Sequence, residues 1–95
     1  MSGAAAVDPP VRVRVVSRVN CHLCDVAKAA VARVAQAAGV GWTEVDVDAD
    51  PVLLEQYSDL VPVILVDDRV HDYYRVDEQR LHQALAAAPG TPPWL

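Results

Sequence analysis

The sequence predicts an α/β domain in which a four-stranded mixed sheet is flanked by helices. Four segments show the alternating or continuous apolar patterns that are typical of β-strands. Three other segments have apolar residues three or four positions apart, as in amphipathic helices. Their order along the chain is βαβαββα. With 95 residues the chain has room for one hydrophobic core, so we expect a single domain.

The first strand and the first helix are predicted at residues 11–16 and from Leu23 to Ala38. Residues 11–16 alternate apolar with basic and then become fully apolar, as in a strand that ends buried. The helical segment has its apolar residues three or four positions apart. Gly39 follows at the position where a left-handed helix cap is expected.

A second strand and a short second helix are predicted next. Residues 40–47 alternate again, and the stretch from Asp48 to Pro51 ends the pattern. Asp50 is a suitable capping residue for a helix that begins near Pro51 and ends before Asp59. We expect the apolar residues of this segment to face inward, namely Leu53, Leu54, Tyr57 and Leu60.

The last three elements form a hairpin and a helix. Residues 62–66 and 69–74 read as two strands joined by a turn at Asp67 and Asp68, and the last helix runs over residues 77–88. Because helical connections join the first three strands, we expect these strands to be largely parallel, with the hairpin adding one antiparallel strand. The domain then spans residues 11–88. We expect a flexible arm before it, 1–10, and a tail after it, 89–95, with Trp94 and Leu95 able to fold back as a hydrophobic patch.

The charge pattern excludes some classes of partner. The formal net charge is −5, and the eight basic residues are scattered along the chain. Non-specific binding to nucleic acids or anionic membranes depends on clustered basic residues, so we expect neither kind of partner. Because the sequence shows neither a signal peptide nor a membrane-spanning segment, we expect a cytoplasmic protein.

Cys21 and Cys24 are the two cysteines of the chain, and they lie at the junction between the first strand and the first helix. In a reducing compartment such a close pair is more often redox-active or metal-binding than a structural disulfide. The helix N-terminus favours a thiolate at Cys21. Arg18 adds a positive charge nearby, whereas Asp25 opposes the thiolate.

These residues make the chain resemble glutaredoxins and small bacterial glutaredoxin-like proteins of the thioredoxin superfamily, over residues 11–88. The resemblance consists of a strand leading into C-x-x-C, Arg18 three residues earlier, Val61-Pro62 before the third strand, and the element order. It implies a thioredoxin-like fold of glutaredoxin type and a thiol-disulfide oxidoreductase that reduces protein or mixed disulfides. In that family the first cysteine attacks and the second resolves the mixed disulfide, which assigns these roles to Cys21 and Cys24.

The resemblance also implies substrate-binding residues and partners. The Val61-Pro62 bond is expected to be cis and to lie against the substrate, with Arg18 and His22 nearby. Tyr73 lies where glutaredoxins have a Gly-Gly pair that helps to bind glutathione, and it faces either the groove or the core. The implied partners are a disulfide-containing protein or a low-molecular-weight thiol as substrate, and a thiol reductant or a reductase. We expect no cofactor, a monomer, and weak turnover with glutathione.

Three alternatives stay open for the cysteine pair. Zinc needs about four ligands, and His71 and His82 are eleven residues apart, outside the usual spacing of histidine ligands. Both histidines are expected at the surface. Two chains sharing their cysteines would complete a zinc or iron–sulfur site. If the cysteine pair neither transfers electrons nor binds a metal, two alternatives are left. The protein is then an adaptor that binds partners through the groove beside Pro62, or it has retained no activity. The acidic residues between the second strand and the second helix are interpreted as turn and cap residues, namely Asp46, Asp48 and Asp50.

Overall fold

The computed structural model describes residues 10–87. A 3-10 helix, Val47–Ala49, follows the second strand. The seven other elements, in chain order, are β1 Val11–Ser17, α1 His22–Ala38, β2 Gly41–Asp46, α2 Pro51–Tyr57, β3 Val63–Val66, β4 Arg69–Tyr73 and α3 Glu78–Ala86. The predicted order of elements is therefore confirmed. Apart from Pro10, the predicted arm and the predicted tail with Trp94 and Leu95 lie outside the described residues.

The four strands form one mixed sheet in the order β2-β1-β3-β4. β1 runs parallel to β2 and antiparallel to β3, and β3 runs antiparallel to β4. Val16 is paired with Val45 on one side and with Val63 on the other. The end of β1, from which the chain continues to the cysteines, thus lies in the middle of the sheet.

The predicted direction of the third strand was wrong. Because β1 and β2 are parallel, both end at the same edge of the sheet, and β3 starts from that edge, with Val63 opposite Val16. A helix of seven residues such as α2 is about 10 Å long, less than half of the roughly 23 Å that a seven-residue strand spans. The helix by itself does not return the chain to the opposite edge, and β3 begins at the edge where β2 ends.

Each face of the sheet carries its own hydrophobic cluster. The larger one lies between the sheet and helices α1 and α3, and its fully buried members include Val13, Val15, Val31, Ile64 and Leu81. The smaller cluster joins Val16, Val47 and Val63 with the inner side of α2. Successive side chains of a strand point to opposite faces, which explains why Val15 and Val16 belong to different clusters.

Two predictions on this smaller cluster need correction. Val47 was expected at the end of the second strand, but it is fully buried within the 3-10 helix. That helix starts early because the Asp46 carboxylate accepts a hydrogen bond from the backbone N–H of Asp48 at 2.9 Å. Leu54 is 38% exposed rather than inward-facing, because Leu53 and Tyr57, four positions apart, form the buried side of α2.

The end of the sheet opposite the cysteines is held by Arg12. The Arg12 side chain is 8% exposed and makes a bidentate contact with Asp67, with Nε 3.0 Å from Oδ1 and Nη2 2.8 Å from Oδ2. Its Nη1 also donates to the carbonyl of Leu85 at 2.9 Å. One guanidinium thus joins β1, the β3–β4 turn and the end of α3.

No helix within residues 10–87 is both long enough and apolar enough to cross a membrane.

Candidate active site

The two cysteines lie at the start of α1, beyond the end of β1. Cys21 is the N-cap residue of the helix, with extended backbone angles, and Cys24 lies in the first turn. Their Sγ atoms are at disulfide-bonding distance, and their Cα atoms are 5.2 Å apart. The Cys21 Sγ also accepts a hydrogen bond from the backbone N–H of Cys24 at 3.1 Å. The sulfur of Cys21 therefore takes the place of the usual capping oxygen.

The two sulfur-bearing residues differ in burial. Cys24 is fully buried, because it belongs to the inward side of α1 together with Ala27 and Val31. Cys21 precedes the first helical residue and stays half-exposed. A reagent from solvent therefore meets Cys21 before Cys24.

The loop from β1 to α1 carries apolar residues that face solvent. Asn20 has a positive φ of 61°, a conformation that asparagine adopts more readily than most residues, and it turns the chain toward the helix. Val19, just before it, is 70% exposed, and Leu23, between the cysteines, is 55% exposed. His22 is also exposed. The disulfide is thus bordered by two apolar side chains that cover no part of the core.

Arg18 is bound by the elements that follow β2. Its Nε lies 3.0 Å from Asp48 Oδ2, and its Nη1 donates to the Ser58 carbonyl at 3.0 Å. Hydrogen bonding to the Asp48 carboxylate raises the pKa of Arg18, so its charge is permanent. The predicted site cation therefore links the cysteine loop to the 3-10 helix and to the end of α2.

The Val61-Pro62 peptide bond is cis. Pro62 is buried, and its carbonyl accepts a hydrogen bond from the backbone N–H of Tyr74 at 2.7 Å. Val61 is half-buried and packs against the smaller hydrophobic cluster. Because Val63 is paired with Val16, this peptide bond lies at the same edge of the sheet as the start of α1.

Tyr73, the last residue of β4, and Tyr74, the residue after it, lie on the Pro62 side of the site. Tyr73 is 39% exposed and Tyr74 is 47% exposed, with ring centroids 6.3 Å apart. Of the two alternatives for Tyr73, placement in the core is wrong. Tyr74 has a positive φ of 69°, which is unusual for a large side chain, and its hydroxyl donates to the Asp59 carbonyl at 3.3 Å.

On the other side of the cysteine loop lies a polar groove with a volume of about 390 Å³. Its charged lining residues are Arg18, Asp25, Lys28, Glu44 and Asp46. Lys28 Nζ lies 2.9 Å from Glu44 Oε2 and 3.4 Å from Asp25 Oδ1. No role was predicted for Lys28, although its position seven residues after Cys21 places both on one side of the helix.

The same groove contains a buried hydroxyl group. The Ser17 side chain is 1% exposed, and its Oγ donates a hydrogen bond to Glu44 Oε2. This hydrogen bond, followed by the contact with Lys28, lowers the pKa of Glu44, and Glu44 in turn raises the pKa of Lys28. The carboxylate therefore holds the ammonium group in place and keeps its own charge.

The histidines lie away from the cysteine pair. His82 is exposed on α3 as expected, but the expectation that His71 lies at the surface was wrong. His71 is half-buried in β4, and its Nε2 finds no hydrogen-bond partner among the described residues. Burial, and secondly the charge of Arg80, lower the pKa of His71. A single histidine in a polar strand carries no signal of burial, so the sequence could not reveal this.

Within residues 10–87, no three His, Cys, Asp or Glu side chains come together in a group able to hold a metal ion. The two sulfurs of this pair contribute two ligands, whereas a structural zinc site uses four. A zinc ion or an iron–sulfur cluster at Cys21 and Cys24 therefore needs ligands from a second molecule.

A sheet of order β2-β1-β3-β4, with a C-x-x-C pair at the start of the first helix, defines a thioredoxin-like fold. Residues 12–86 match the family model of the glutaredoxin-like domain (DUF836). The chain therefore belongs to the glutaredoxin-like (DUF836) domain family.

Individual relatives agree with this assignment. Uncharacterized proteins of Mycobacterium tuberculosis and Mycobacterium bovis are 32% identical to the chain, with 86% of this chain and 91% of each relative aligned. A crystal structure of a protein from X. campestris is 31% identical, with a TM-score of 0.64 over 81% of this chain and 99% of that one. A solution structure from Nitrosomonas europaea is 25% identical, with a TM-score of 0.67 over 81% and 92% of the two chains.

A mutant thioredoxin from Halobacterium salinarum shares the fold at 20% identity, with a TM-score of 0.61 over 95% of this chain and 84% of that one.

Proposed function

We propose that the protein is a thiol-disulfide oxidoreductase that reduces protein disulfides or mixed disulfides with Cys21 and Cys24. The observation that carries the proposal is the asymmetric pair at the start of α1: two sulfurs at disulfide-bonding distance, with Cys24 fully buried and Cys21 half-exposed. Backbone N–H groups and the helix dipole at this end favour a thiolate, which is the nucleophilic form of cysteine.

The reaction begins with the reduced pair. The Cys21 thiolate attacks one sulfur of the substrate disulfide, so that a bond forms between Cys21 and that sulfur while the substrate S–S bond breaks. The released thiolate carries away the electron pair and takes a proton from water. Cys24 then loses its proton and attacks the Cys21 sulfur, which forms the Cys21–Cys24 disulfide and releases the second substrate thiolate. Two electrons have passed from the cysteines to the substrate, and an external thiol or reductase returns them.

The substrate is proposed to lie between the cysteine loop and the Pro62 loop. The backbone of Val61 precedes the cis bond at the same edge of the sheet as Cys21 and is offered for pairing with an extended substrate segment. His22, at the start of α1, and Tyr73, at the end of β4, are exposed on the two sides of this region. Arg18 lies in the loop before the cysteines and is bound to Asp48. The exposed Val19 and Leu23 provide apolar contact area for a protein substrate.

Trapping of mixed disulfides tests the proposed roles of the two sulfurs. With a disulfide-containing protein such as insulin, the Cys24→Ser variant should accumulate a covalent mixed disulfide, because Cys21 can attack but nothing resolves the product. The Cys21→Ser variant should accumulate none and serves as the matched control. Non-reducing gel electrophoresis and intact-mass measurement provide the readout. Trapping by Cys21→Ser instead of Cys24→Ser would show that the roles are reversed.

Alkylation of the reduced protein gives an independent measurement. Because Cys24 is fully buried and Cys21 is half-exposed, iodoacetamide at neutral pH should label Cys21 at least about ten times faster than Cys24. Peptide mass spectrometry at several times gives both rates. Equal rates for the two cysteines would contradict the proposed asymmetry. Stoichiometric zinc or visible absorbance in the purified protein would instead support a metal or cluster carrier.

A further inference from the structure

A chain of contacts runs from Ser17 through Glu44 to Lys28, which lies on α1 four residues after Cys24. Glu44 Oε2 accepts from the buried Ser17 hydroxyl and lies 2.9 Å from Lys28 Nζ, and the Lys28 side chain is only 24% exposed. These contacts therefore join β1, β2 and α1 at the end of the sheet where Cys21 lies. Two carboxylates, those of Glu44 and Asp25, contact the Lys28 ammonium group, and all three side chains line the polar groove.

Helix geometry gives the height of the ammonium group along α1. Cys24 and Lys28 are four residues apart and so are neighbours on the helix surface. Side chains of a helix lean toward its N-terminus, so the long Lys28 side chain reaches back over the preceding turn. The contact of 3.4 Å between Lys28 Nζ and Asp25 Oδ1 places the ammonium at the level of residue 25. The positive charge consequently lies beside the turn that contains Cys24.

The second chemical step needs such a charge. Cys24 must lose a proton before it attacks the Cys21 sulfur, but full burial disfavours the charged form of a thiol. The carboxylate of Asp25, the next residue, also disfavours a thiolate at Cys24. The backbone N–H of Cys24 donates its hydrogen bond to Cys21 Sγ and therefore does not stabilise a charge on the Cys24 sulfur. Lys28 is the cation of α1 closest in sequence to Cys24.

We propose that Lys28, held in position by Glu44, stabilises the thiolate of Cys24 and thereby promotes the resolving step. This inference rests on the proposed function for its purpose, although the ionisation of Cys24 can be measured without any substrate. In the step itself, the Cys24 proton passes to water, the new bond forms between Cys24 and Cys21, and the Cys21–substrate bond breaks. The substrate thiolate leaves with the electron pair. Lys28 keeps its proton throughout, and Glu44 acts as a positioning residue.

Other charged groups face this end of α1 and enter the same balance. Arg18 lies in the loop after β1, and Asp48 offsets its charge. Glu44 and Asp46 lie on β2 and line the polar groove. Asp25 and the exposed His22 lie on α1 itself. Because Asp25 and Glu44 are negative, removal of the Lys28 charge should leave Cys24 in a net negative surrounding.

The experiment measures the pKa of Cys24 directly. In the reduced Cys21→Ser protein, which keeps a capping oxygen, thiolate absorbance at 240 nm is titrated against pH. Adding Lys28→Met should raise the pKa of Cys24 by about half a unit to one unit. Lys28→Arg should leave it nearly unchanged. Arg33→Met is the matched control, because Arg33 also lies on α1 in an ion pair, with Glu78 at 3.0 Å, but does not line the polar groove.

The charge-conserving variant separates an electrostatic role from a structural one. Methionine keeps an aliphatic side chain of similar length, so Lys28→Met should leave the pKa of Cys24 unchanged if only the packing of the lysine stem matters. An unchanged pKa in Lys28→Met, or a rise of equal size in Lys28→Arg, would overturn the inference. If Lys28→Met fails to fold by circular dichroism, Lys28→Gln provides the same comparison with Lys28→Arg.

A kinetic measurement on the protein with both cysteines completes the test. When a mixed disulfide at Cys21 is formed with a chromogenic thiol, Lys28→Met should slow release of that thiol about two- to fourfold at pH 7, since the smaller thiolate fraction is partly offset by higher nucleophilicity. An unchanged release rate would contradict the inference. Failure of Cys24→Ser to trap any substrate would contradict the proposed function instead, whatever the titrations show.

Discussion

Arg18 Nε lies 3.0 Å from Asp48 Oδ2, so the cation three residues before Cys21 is held by the 3-10 helix that follows β2. The Arg18 side chain is 36% exposed and the Asp48 side chain 48%, so the pair is open to solvent. The carboxylate also cancels much of the field that the guanidinium exerts on the cysteine loop. The reactivity of Cys21 should therefore depend on both members of this pair.

Changing either member should alter the alkylation rate of Cys21 in opposite directions. Asp48→Asn removes the opposing charge and should raise the rate at neutral pH about two- to threefold, whereas Arg18→Gln should lower it by a similar factor. Asp68→Asn is the control, since Asp68 also lies beside an arginine, 3.6 Å from Arg14, but at the other end of the sheet. Equal rates in all variants would show that Arg18 serves only to join the loops.

The β3–β4 turn should respond oppositely to glycine at its two central positions. Asp67 and Asp68 have positive φ values of 51° and 65°, which glycine adopts without a Cβ penalty. Asp68→Gly relieves this cost and loses only an exposed ion pair, so we expect a gain of about 0.5 kcal/mol in the free energy of unfolding. Urea denaturation measures it.

Asp67→Gly is the matched comparison, because the same backbone relief is accompanied by loss of the partner of Arg12. The Arg12 side chain is 8% exposed, and leaving it without the carboxylate should cost about 2–4 kcal/mol. The two glycine variants should thus shift the urea midpoint in opposite directions. Stabilisation by Asp67→Gly would mean that the Arg12 contact contributes little.

His71 should make the fold less stable as the pH falls below neutrality. Its pKa is lowered in the folded protein, first by burial and then by Arg80, against the weaker opposite effects of Asp72 and Asp77. The neutral form is therefore favoured by folding. The stability that neutral His71 contributes is fully present above the pKa of histidine in the unfolded chain, about 6.5. This stability is lost as the pH falls from that value toward the lower pKa of His71 in the folded protein.

The measurement is the free energy of unfolding at pH 7.5 and at pH 5.5. We expect a decrease in the wild type that is smaller in His71→Gln, because glutamine does not titrate. His82→Gln, which removes an exposed histidine of α3, should keep the wild-type decrease. The same slope in His71→Gln and the wild type would contradict this prediction.

Glutathione should be a poor reductant. Asp72 and Tyr73 occupy the positions where the resemblance to glutaredoxins leads one to expect two glycines. The side chains of Tyr73 and of the next residue, Tyr74, are exposed at the surface beside Pro62. Glycine permits close approach of a ligand backbone, and these side chains obstruct it. Reduction of the oxidised protein should accordingly be slow with glutathione and its reductase, and faster with a thioredoxin reductase system or another low-molecular-weight thiol.

A side-by-side rate measurement followed by NADPH consumption decides this point. Tyr73→Gly should raise the glutathione rate relative to wild type if the side chain blocks the approach, while Tyr57→Phe, in α2, serves as the control. Fast and saturable turnover with glutathione in the wild type would contradict the prediction.

Local patterns were sufficient to locate the cysteine pair. The apolar spacing after Leu23 and the glycine at 39 predicted α1 to within one residue at its start, and Gly39 indeed has a positive φ of 73°. The position of Cys21 and Cys24 followed from this helix. Helix periodicity and capping depend on residues close in sequence, and for that reason they could be predicted without tertiary information.

Features that depend on distant residues were missed. The antiparallel direction of β3 depends on the end of the sheet at which the chain re-enters it after α2, and the burial of His71 depends on what packs over β4. Glu44 meets Ser17 only because β2 lies beside β1, and it meets Lys28 only because α1 packs over both strands. Neither pairing is visible in a sequence where these residues are 16 or more positions apart.

By itself the sequence determined the element order, the boundaries of α1 and the placement of two cysteines at a helix start, because each depends on short-range periodicity and capping. Only the tertiary structure decided the burial of Cys24, the binding of Arg18 to Asp48, and the charge network around Lys28. Burial and ion pairing are set by which surfaces the folded sheet and helices bring into contact. Residues close in sequence were therefore enough to identify the two cysteines of the site. The charges and the burial that control their reactivity depend on residues that only the folded structure brings together.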